Sequence, residues 1–275
     1  MSTSAAFIRK PKLQFDNAVN LAKITMASQI DLDHDTLFVQ LQSILNELYG
    51  EVTQQLAILP QSDQPLQSFS SPDGSVTGSL LTSSGKELDW LVYSWFNAAQ
   101  MKFSTMRLTL WLSPLIQVPH LAFEFGTKPD LFFYIDYIPR VDLWTDLSYT
   151  EHYYEPINTT YLTLRENTHL SLFVSKALYI RQLQSPTSLC FTCPSTQDSL
   201  TLIRNTAQEM CSRWLTWVKQ AEPVPVDRQP ALAERDLMMR RIVAERDPGN
   251  AVAAKIFGAP LADRLIRALW SKEYK

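Results

Sequence analysis

The stretch Met106–Tyr137, MRLTLWLSPLIQVPHLAFEFGTKPDLFFYIDY, decides the fold. Met106, Leu108, Leu110 and Leu112 alternate with Arg107, Thr109 and Trp111, the two-residue period of a half-buried strand. His120–Phe125 and Leu131–Tyr137 are two further short runs rich in aromatic and branched residues, separated by turn-forming segments. The connections are too short for the helical crossovers that parallel neighbours require, so the sheet is predicted to be mainly antiparallel. Leu131 to Ile135 is apolar on both faces, which predicts a sheet covered on both sides.

One residue in this block does not fit an apolar strand. Glu124 stands in Pro119-His120-Leu121-Ala122-Phe123-Glu124-Phe125-Gly126. An ionised carboxylate buried without a partner costs several kcal/mol, so such a group either finds a cation or holds its proton. A carboxyl that holds its proton near neutral pH can donate it, and this makes Glu124 the first candidate for acid chemistry. The structural alternative is a salt bridge with Arg107 or Arg140, or a place at a sheet edge. His120 and Ala122 share the face of Glu124 by alternation.

Outward from the block, Ser75–Thr82 and Leu88–Phe96 read as two preceding strands, and Leu170–Ile180 with Ser188–Thr192 as a following pair. Leu37, Leu41, Ile44, Leu45 and Leu48 recur at helical spacing behind a capping Asp33 or Asp35. Pro60 to Asp73 reads as a surface loop, and Tyr149–Tyr154 as a short helix. Ile203, Met210, Trp214 and Val218 mark a helix ending near Ala221-Glu222-Pro223-Val224-Pro225, and Leu232–Ala244 and Leu261–Trp270 are helical. Asp247-Pro248 reads as the start of another helix running to Phe257, with the aspartate as its cap. A cap carboxylate still serves chemistry if its second oxygen faces a cavity. Helices, then strands, then helices predict a three-layer α/β/α sandwich, a single domain over residues 1–275 with helices on both faces of a central mainly antiparallel sheet.

Composition excludes several classes. A net charge of −3 argues against a nucleic-acid binder. From Val224 to Lys275, however, 10 Lys/Arg stand against 7 Asp/Glu, a mildly basic end suited to an acidic partner. No apolar run reaches membrane-spanning length. Met1–Lys12 has no secretory core and is too short for a transit peptide, so a cytoplasmic protein is expected, or a plastid stromal one for a mature plant or algal chain. None of the 7 glycines falls in a dinucleotide or P-loop pattern, and the 4 histidines have no metal-ligand spacing. Cys190-Phe191-Thr192-Cys193 lacks a second pair for a zinc site, and on a strand its two thiols would point to opposite faces.

An ordered series of residues is more specific than any of these patterns. It comprises Pro72-Asp73-Gly74-Ser75, Asp89 with Ser94-Trp95, Pro119 followed by Glu124, Asp136, and Pro139-Arg140-Val141-Asp142-Leu143. Tyr149 with Tyr153-Tyr154, Ser171-Leu172-Phe173-Val174, Glu234-Arg235-Asp236, Asp247 and Phe257-Gly258 follow. In this order and spacing, Ser71–Glu155, and less tightly the chain to Trp270, resembles the red chlorophyll catabolite reductases, a branch of the ferredoxin-dependent bilin reductases.

The resemblance implies a linear tetrapyrrole lying between the sheet and the C-terminal helices. It also implies no cofactor bound by the protein, single electrons from an external reduced 2Fe-2S ferredoxin, and protons from Glu124 and Asp247. His120, Ala122, Leu178, Trp95 and Arg140 are expected to contact the substrate. Bilin reductases with a catalytic histidine carry it near the place of Leu108, so its absence favours the chlorophyll-catabolite branch, with His120 as the neighbouring substitute. Biliverdin as substrate and a non-catalytic tetrapyrrole-binding protein are the alternatives. Ferredoxin docking is expected on Arg235, Arg240, Arg241, Arg246, Arg264 and Arg267 or on Arg9, Lys10 and Lys12, and the plant relatives imply a homodimer.

Overall fold

The computed structural model describes residues 31–270, apart from 61–63 and 129. Arg9, Lys10 and Lys12 therefore lie outside the described residues, as does the N-terminal part of the domain expected over 1–275. The first helix, α1 (His34–Gln55), begins at Asp33, whose carboxylate accepts from Thr36 N at 2.8 Å. All five leucine and isoleucine positions read at helical spacing are buried on its inner side.

The strands are β1 (Ile58–Pro60), β2 (Phe69–Ser70), β3 (Thr77–Gly85), β4 (Leu88–Ala98), β5 (Phe103–Leu112), β6 (His120–Gly126), β7 (Leu131–Ile138), β8 (Ser171–Leu172) and β9 (Leu189–Cys193). They form one sheet in the order β1-β3-β4-β5-β6-β7-β9-β8, with β2 paired to β3. Every pairing is antiparallel, as the short connections predict. The turn into β3 is Pro72-Asp73-Gly74-Ser75, where Gly74 takes φ 71° and the Asp73 carboxylate accepts from Ser75 N.

Alternation sorts the side chains between two layers. Leu108, Leu110, Leu121, Phe123, Phe133 and Ile135 face the main core, closed by α1 and by α6 (Gln197–Gln220). Arg107, Thr109, Ala122, Glu124 and Tyr134 face the other side, toward α7 (Gln229–Arg246), α8 (Gly249–Phe257) and α9 (Ala259–Ala268). The expected three-layer α/β/α sandwich is what forms. Buried aromatics that carry a polar tip anchor both layers: Trp214 Nε1 donates to Pro119 O at 2.8 Å, Tyr137 Oη to Met210 O at 2.8 Å, and Trp90 Nε1 to Ala268 O at 2.9 Å.

The structure corrects two sequence expectations here. Pro60–Asp73 is more than a loop, since a short helix α2 (Gln64–Gln67) and β2 lie within it and Leu66 is buried. Leu170–Ile180 is not a full strand: only Ser171–Leu172 pairs as β8, and α5 (Leu178–Leu183) takes over. Phe173 N still donates to Cys190 O of β9 at 2.9 Å, and its ring packs edge-on against Phe132 with centroids 4.9 Å apart, so the pairing ends there and α5 follows. The short helix read at Tyr149–Tyr154 is α3 (Leu147–Tyr153), followed by α4 (Glu155–Glu166) with Pro156 in its first turn.

Candidate active site

A cavity of about 500 Å³ lies between the sheet and the C-terminal helices. Its floor is a transverse row of side chains set by strand register. Ser94 pairs with Arg107, Arg107 with Glu124, Glu124 with Tyr134 and Tyr134 with Cys190, so five strands each bring one polar side chain to a single line. All five line the cavity. Apolar side chains on both sides, among them Val92, Phe132, Ile256 and Leu265, make the rest of the wall mainly hydrocarbon. The volume is within the roughly 300–1,000 Å³ of small-molecule sites.

Glu124 has found a partner. Arg107 Nη2 lies 3.0 Å from its Oε2, and the two side chains are only 27% and 31% exposed. The same Arg107 nitrogen lies 3.7 Å from Asp247 Oδ2. Asp247 sits where α7 ends and α8 begins, and its other oxygen accepts from Gly249 N at 2.8 Å. The N-cap position of α8 falls on Pro248 rather than on Asp247 as expected, but Asp247 still holds the first N–H of that helix with one oxygen and faces the cavity with the other. Two acids from opposite layers converge on one guanidinium, whose pKa their charges push up further. One positive and two negative charges leave this set at −1, so a single proton taken up by either carboxyl makes it neutral.

A profile of red chlorophyll catabolite reductase (RCC reductase) matches residues 39–271. The chain belongs to the RCC reductase family. The fold agrees with that of phytochromobilin synthase from tomato, whose crystal structure in complex with biliverdin superposes with a TM-score of 0.70. The sequences are 17% identical, and the likeness covers 84% of this chain and 83% of that one. A search of curated proteins finds no match. No helix among the described residues is long and apolar enough to cross a membrane.

In this RCC reductase family member, the residues expected at the site separate into two groups. Glu124, Asp247 and Ala122 meet at the cavity. His120 and Arg140 do not. Alternation puts His120 on the correct face, but Asp236 of α7 covers it and its side chain is 0% exposed. Its Nδ1 accepts from Leu112 N at 2.9 Å, which places the ring proton on Nε2, 3.3 Å from Asp236 Oδ1. Burial pushes His120 down to about 4, so it is neutral at pH 7. Arg140 is fully buried and closes on Asp236 through Nε (2.9 Å) and Nη2 (2.5 Å), while Nη1 and Nη2 donate to the carbonyls of Ile116 and Ser113. This His120–Asp236–Arg140 network fastens α7 to the sheet.

Trp95 borders the cavity, but its ring packs against Phe38 of α1 in the opposite layer, 5.6 Å between centroids, because Ser94 and Phe96 hold the cavity-facing parity of β4. Leu178 is 60% exposed at the start of α5, and it is Ile180 and Leu183 of that helix that reach the cavity wall. Leu108 is buried in the main core, so the side chain standing before Glu124 on the preceding strand is Arg107.

Two site features escaped the sequence reading. Arg107 was one of the two expected partners of Glu124 and is the one that pairs with it; what the sequence did not show is that the same guanidinium also reaches Asp247. Asp136 belongs to the ordered motif series yet had no role. It is buried and accepts from Tyr134 Oη (3.0 Å), Ser185 N (2.9 Å) and Ser185 Oγ (2.5 Å). Cys190 lines the cavity and Cys193 faces the main core, opposite sides as alternation requires. Among the described residues, no group of three or more His, Cys, Asp or Glu is placed to hold a metal ion.

Proposed function

We propose that this protein reduces one double bond of a linear tetrapyrrole, red chlorophyll catabolite to primary fluorescent catabolite, with single electrons from reduced ferredoxin and protons from Glu124 and Asp247. The observation that carries the reading is the meeting of these two carboxyls across Arg107 inside a mainly apolar cavity, in a chain of the RCC reductase family. The reduction takes up two electrons and two protons. The first electron makes the bound pigment a radical anion, one carboxyl protonates it at carbon, and a second electron and the second carboxyl complete the saturation. Electron entry spreads over the conjugated system, so the place of the acids selects the bond that is reduced. General-acid transfer requires the donor within hydrogen-bond reach of the receiving atom, and acids on opposite walls can serve opposite faces of a flat pigment.

Arg107 sets the charge of the pair. With both carboxyls ionised the set is negative, and each proton delivered to the pigment has to be restored from solvent before the next turnover. The apolar wall excludes water around the reacting carbons, so protons arrive through the carboxyls rather than at random.

Biliverdin is the second reading, favoured by the bound ligand of the structurally similar phytochromobilin synthase. Anaerobic assay with reduced ferredoxin and each pigment in turn separates the two. Bleaching of red chlorophyll catabolite with biliverdin unchanged supports the first reading, and the reverse supports the second. Stable pigment binding without ferredoxin-driven turnover of either would leave a carrier.

A further inference from the structure

Tyr134 and Asp136 lie two residues apart on the cavity side of β7. Tyr134 follows Glu124 in the transverse row and lines the cavity. Asp136, opposite Ala122, lies one row deeper and is 1% exposed. Its Oδ2 accepts from the Tyr134 hydroxyl at 3.0 Å and from Ser185 N at 2.9 Å, and its Oδ1 accepts from Ser185 Oγ at 2.5 Å. Such a set of donors suits an acceptor-only, ionised carboxylate. Burial pushes Asp136 up to about 6 against these donors, which still leaves it mainly ionised at pH 7.5.

The consequence falls on Tyr134. A phenol carries one hydrogen and further acceptor capacity on the same oxygen. With the hydrogen committed to Asp136, what Tyr134 can offer a ligand is an acceptor. The carboxylates of Glu124 and Asp247 already face Arg107. Cys190, opposite Tyr134 on β9, is pushed up to about 12 by burial and keeps its hydrogen. Ring nitrogens of a linear tetrapyrrole bear N–H groups, and these need an acceptor once water is excluded.

Resting on the tetrapyrrole reading, we propose that Tyr134, oriented by Asp136 and Ser185, accepts a hydrogen bond from a ring N–H of the bound pigment and thereby fixes which ring lies against Glu124. Acidification through about pH 6 protonates Asp136, which then donates to Tyr134 and turns the phenol hydrogen toward the cavity. The groups facing Asp136 do not titrate in that range: burial raises Tyr134 and Tyr154 well above their ordinary value, and Cys190 likewise. His120 and Asp236, in the neighbouring network, lie lower, at about 4 and about 2.

The test is a titration of the full chain with biliverdin, followed by pigment absorbance at pH 7.5 and 5.5, for wild type, Tyr134→Phe, Asp136→Asn and Ser185→Ala. Tyr134→Phe should weaken binding roughly five- to tenfold at pH 7.5, the effect of one lost hydrogen bond to a buried donor. Asp136→Asn should weaken it similarly, and the double variant no further, because both act through one contact. Wild type should lose more affinity than Tyr134→Phe on going to pH 5.5. Ser185→Ala, which keeps the tyrosine, stands in if Asp136→Asn does not fold. Undiminished affinity of Tyr134→Phe, or an identical pH response in both proteins, overturns the assignment. Wild type binding neither biliverdin nor red chlorophyll catabolite instead overturns the tetrapyrrole reading and this inference with it.

Discussion

Arg107 and Glu124 stand directly opposite each other on antiparallel β5 and β6, with Nη2 3.0 Å from Oε2. A cross-strand ion pair on a cavity floor is more than an architectural contact when the same guanidinium also reaches a second acid from the helical layer. Replacing Arg107 with Gln removes the cation that pairs with both acids at this junction. Turnover should fall roughly tenfold or more in Arg107→Gln and recover in part in Arg107→Lys, because the charge that holds both carboxyls at the cavity is lost in the first and kept in the second. Steady-state rates under saturating reduced ferredoxin check this, and a wild-type rate in Arg107→Gln would dissociate Arg107 from proton delivery.

Arg140 should act through stability rather than affinity. Its fork is spent on Asp236 and on two backbone carbonyls, all buried. Truncation leaves Asp236 as an inadequately compensated buried charge, which costs about 3–5 kcal/mol. Urea denaturation of Arg140→Ala should show a correspondingly lower midpoint. Pigment affinity measured on the folded fraction should stay near that of wild type.

Two buried groups push the acid stability of the fold in opposite directions. His120, ordinarily 6.5, is held down to about 4, mainly by burial, so between those values the unfolded chain binds a proton that the folded chain refuses. Stability falls on acidification through that window. Asp136, ordinarily 3.8, is held up to about 6, so between 6 and 4 the folded chain binds a proton that the unfolded chain does not, and stability rises. Asp136→Asn removes only the gain. Its stability should therefore fall more steeply than that of wild type between pH 6 and 4, by up to about 3 kcal/mol over the window. Parallel pH–stability curves would mean that Asp136 is not the titrating group.

Ferredoxin delivery should depend on salt. Arg235, Arg241 and Arg267 are 41%, 58% and 54% exposed in their side chains and stand on α7 and α9. Arg240 leaves the expected docking set, because it is 6% exposed and bonded to Asp89 at 2.9 Å. Exposed charge attraction is screened over about 8 Å at physiological ionic strength. Turnover at limiting ferredoxin should decline steadily as salt rises from roughly 50 mM to 300 mM, with pigment binding little changed. A flat response would place electron delivery elsewhere.

The fold was legible because alternation and short connections leave little freedom. Leu108 and Leu110 cannot share a face with Arg107 and Thr109, and no crossover fits between Leu112 and His120. Glu124 was legible as an anomaly in an apolar strand, and Asp247 as a carboxylate at a helix start with a spare oxygen. The segment from Leu170 was read too long: Ser171–Leu172 pairs with β9 and Phe173 N still bonds Cys190 O, but the chain turns into α5 at Leu178, and composition alone does not mark where pairing stops. His120 and Arg140 were misassigned for a related reason. Periodicity assigns a face, but it does not say that Asp236 of a helix almost a hundred residues later will cover it.

The account rests on proton donation by two carboxyls, and the most direct measurement is single-turnover reduction of bound pigment by Glu124→Gln and Asp247→Asn. With reduced ferredoxin in excess and red chlorophyll catabolite and biliverdin each tested, both variants should bind pigment as wild type does. Each should slow its conversion by roughly a hundredfold or more, with the one-electron-reduced pigment accumulating in the absorbance record. Conversion at the wild-type rate in both variants would contradict the assignment of these residues as the acids.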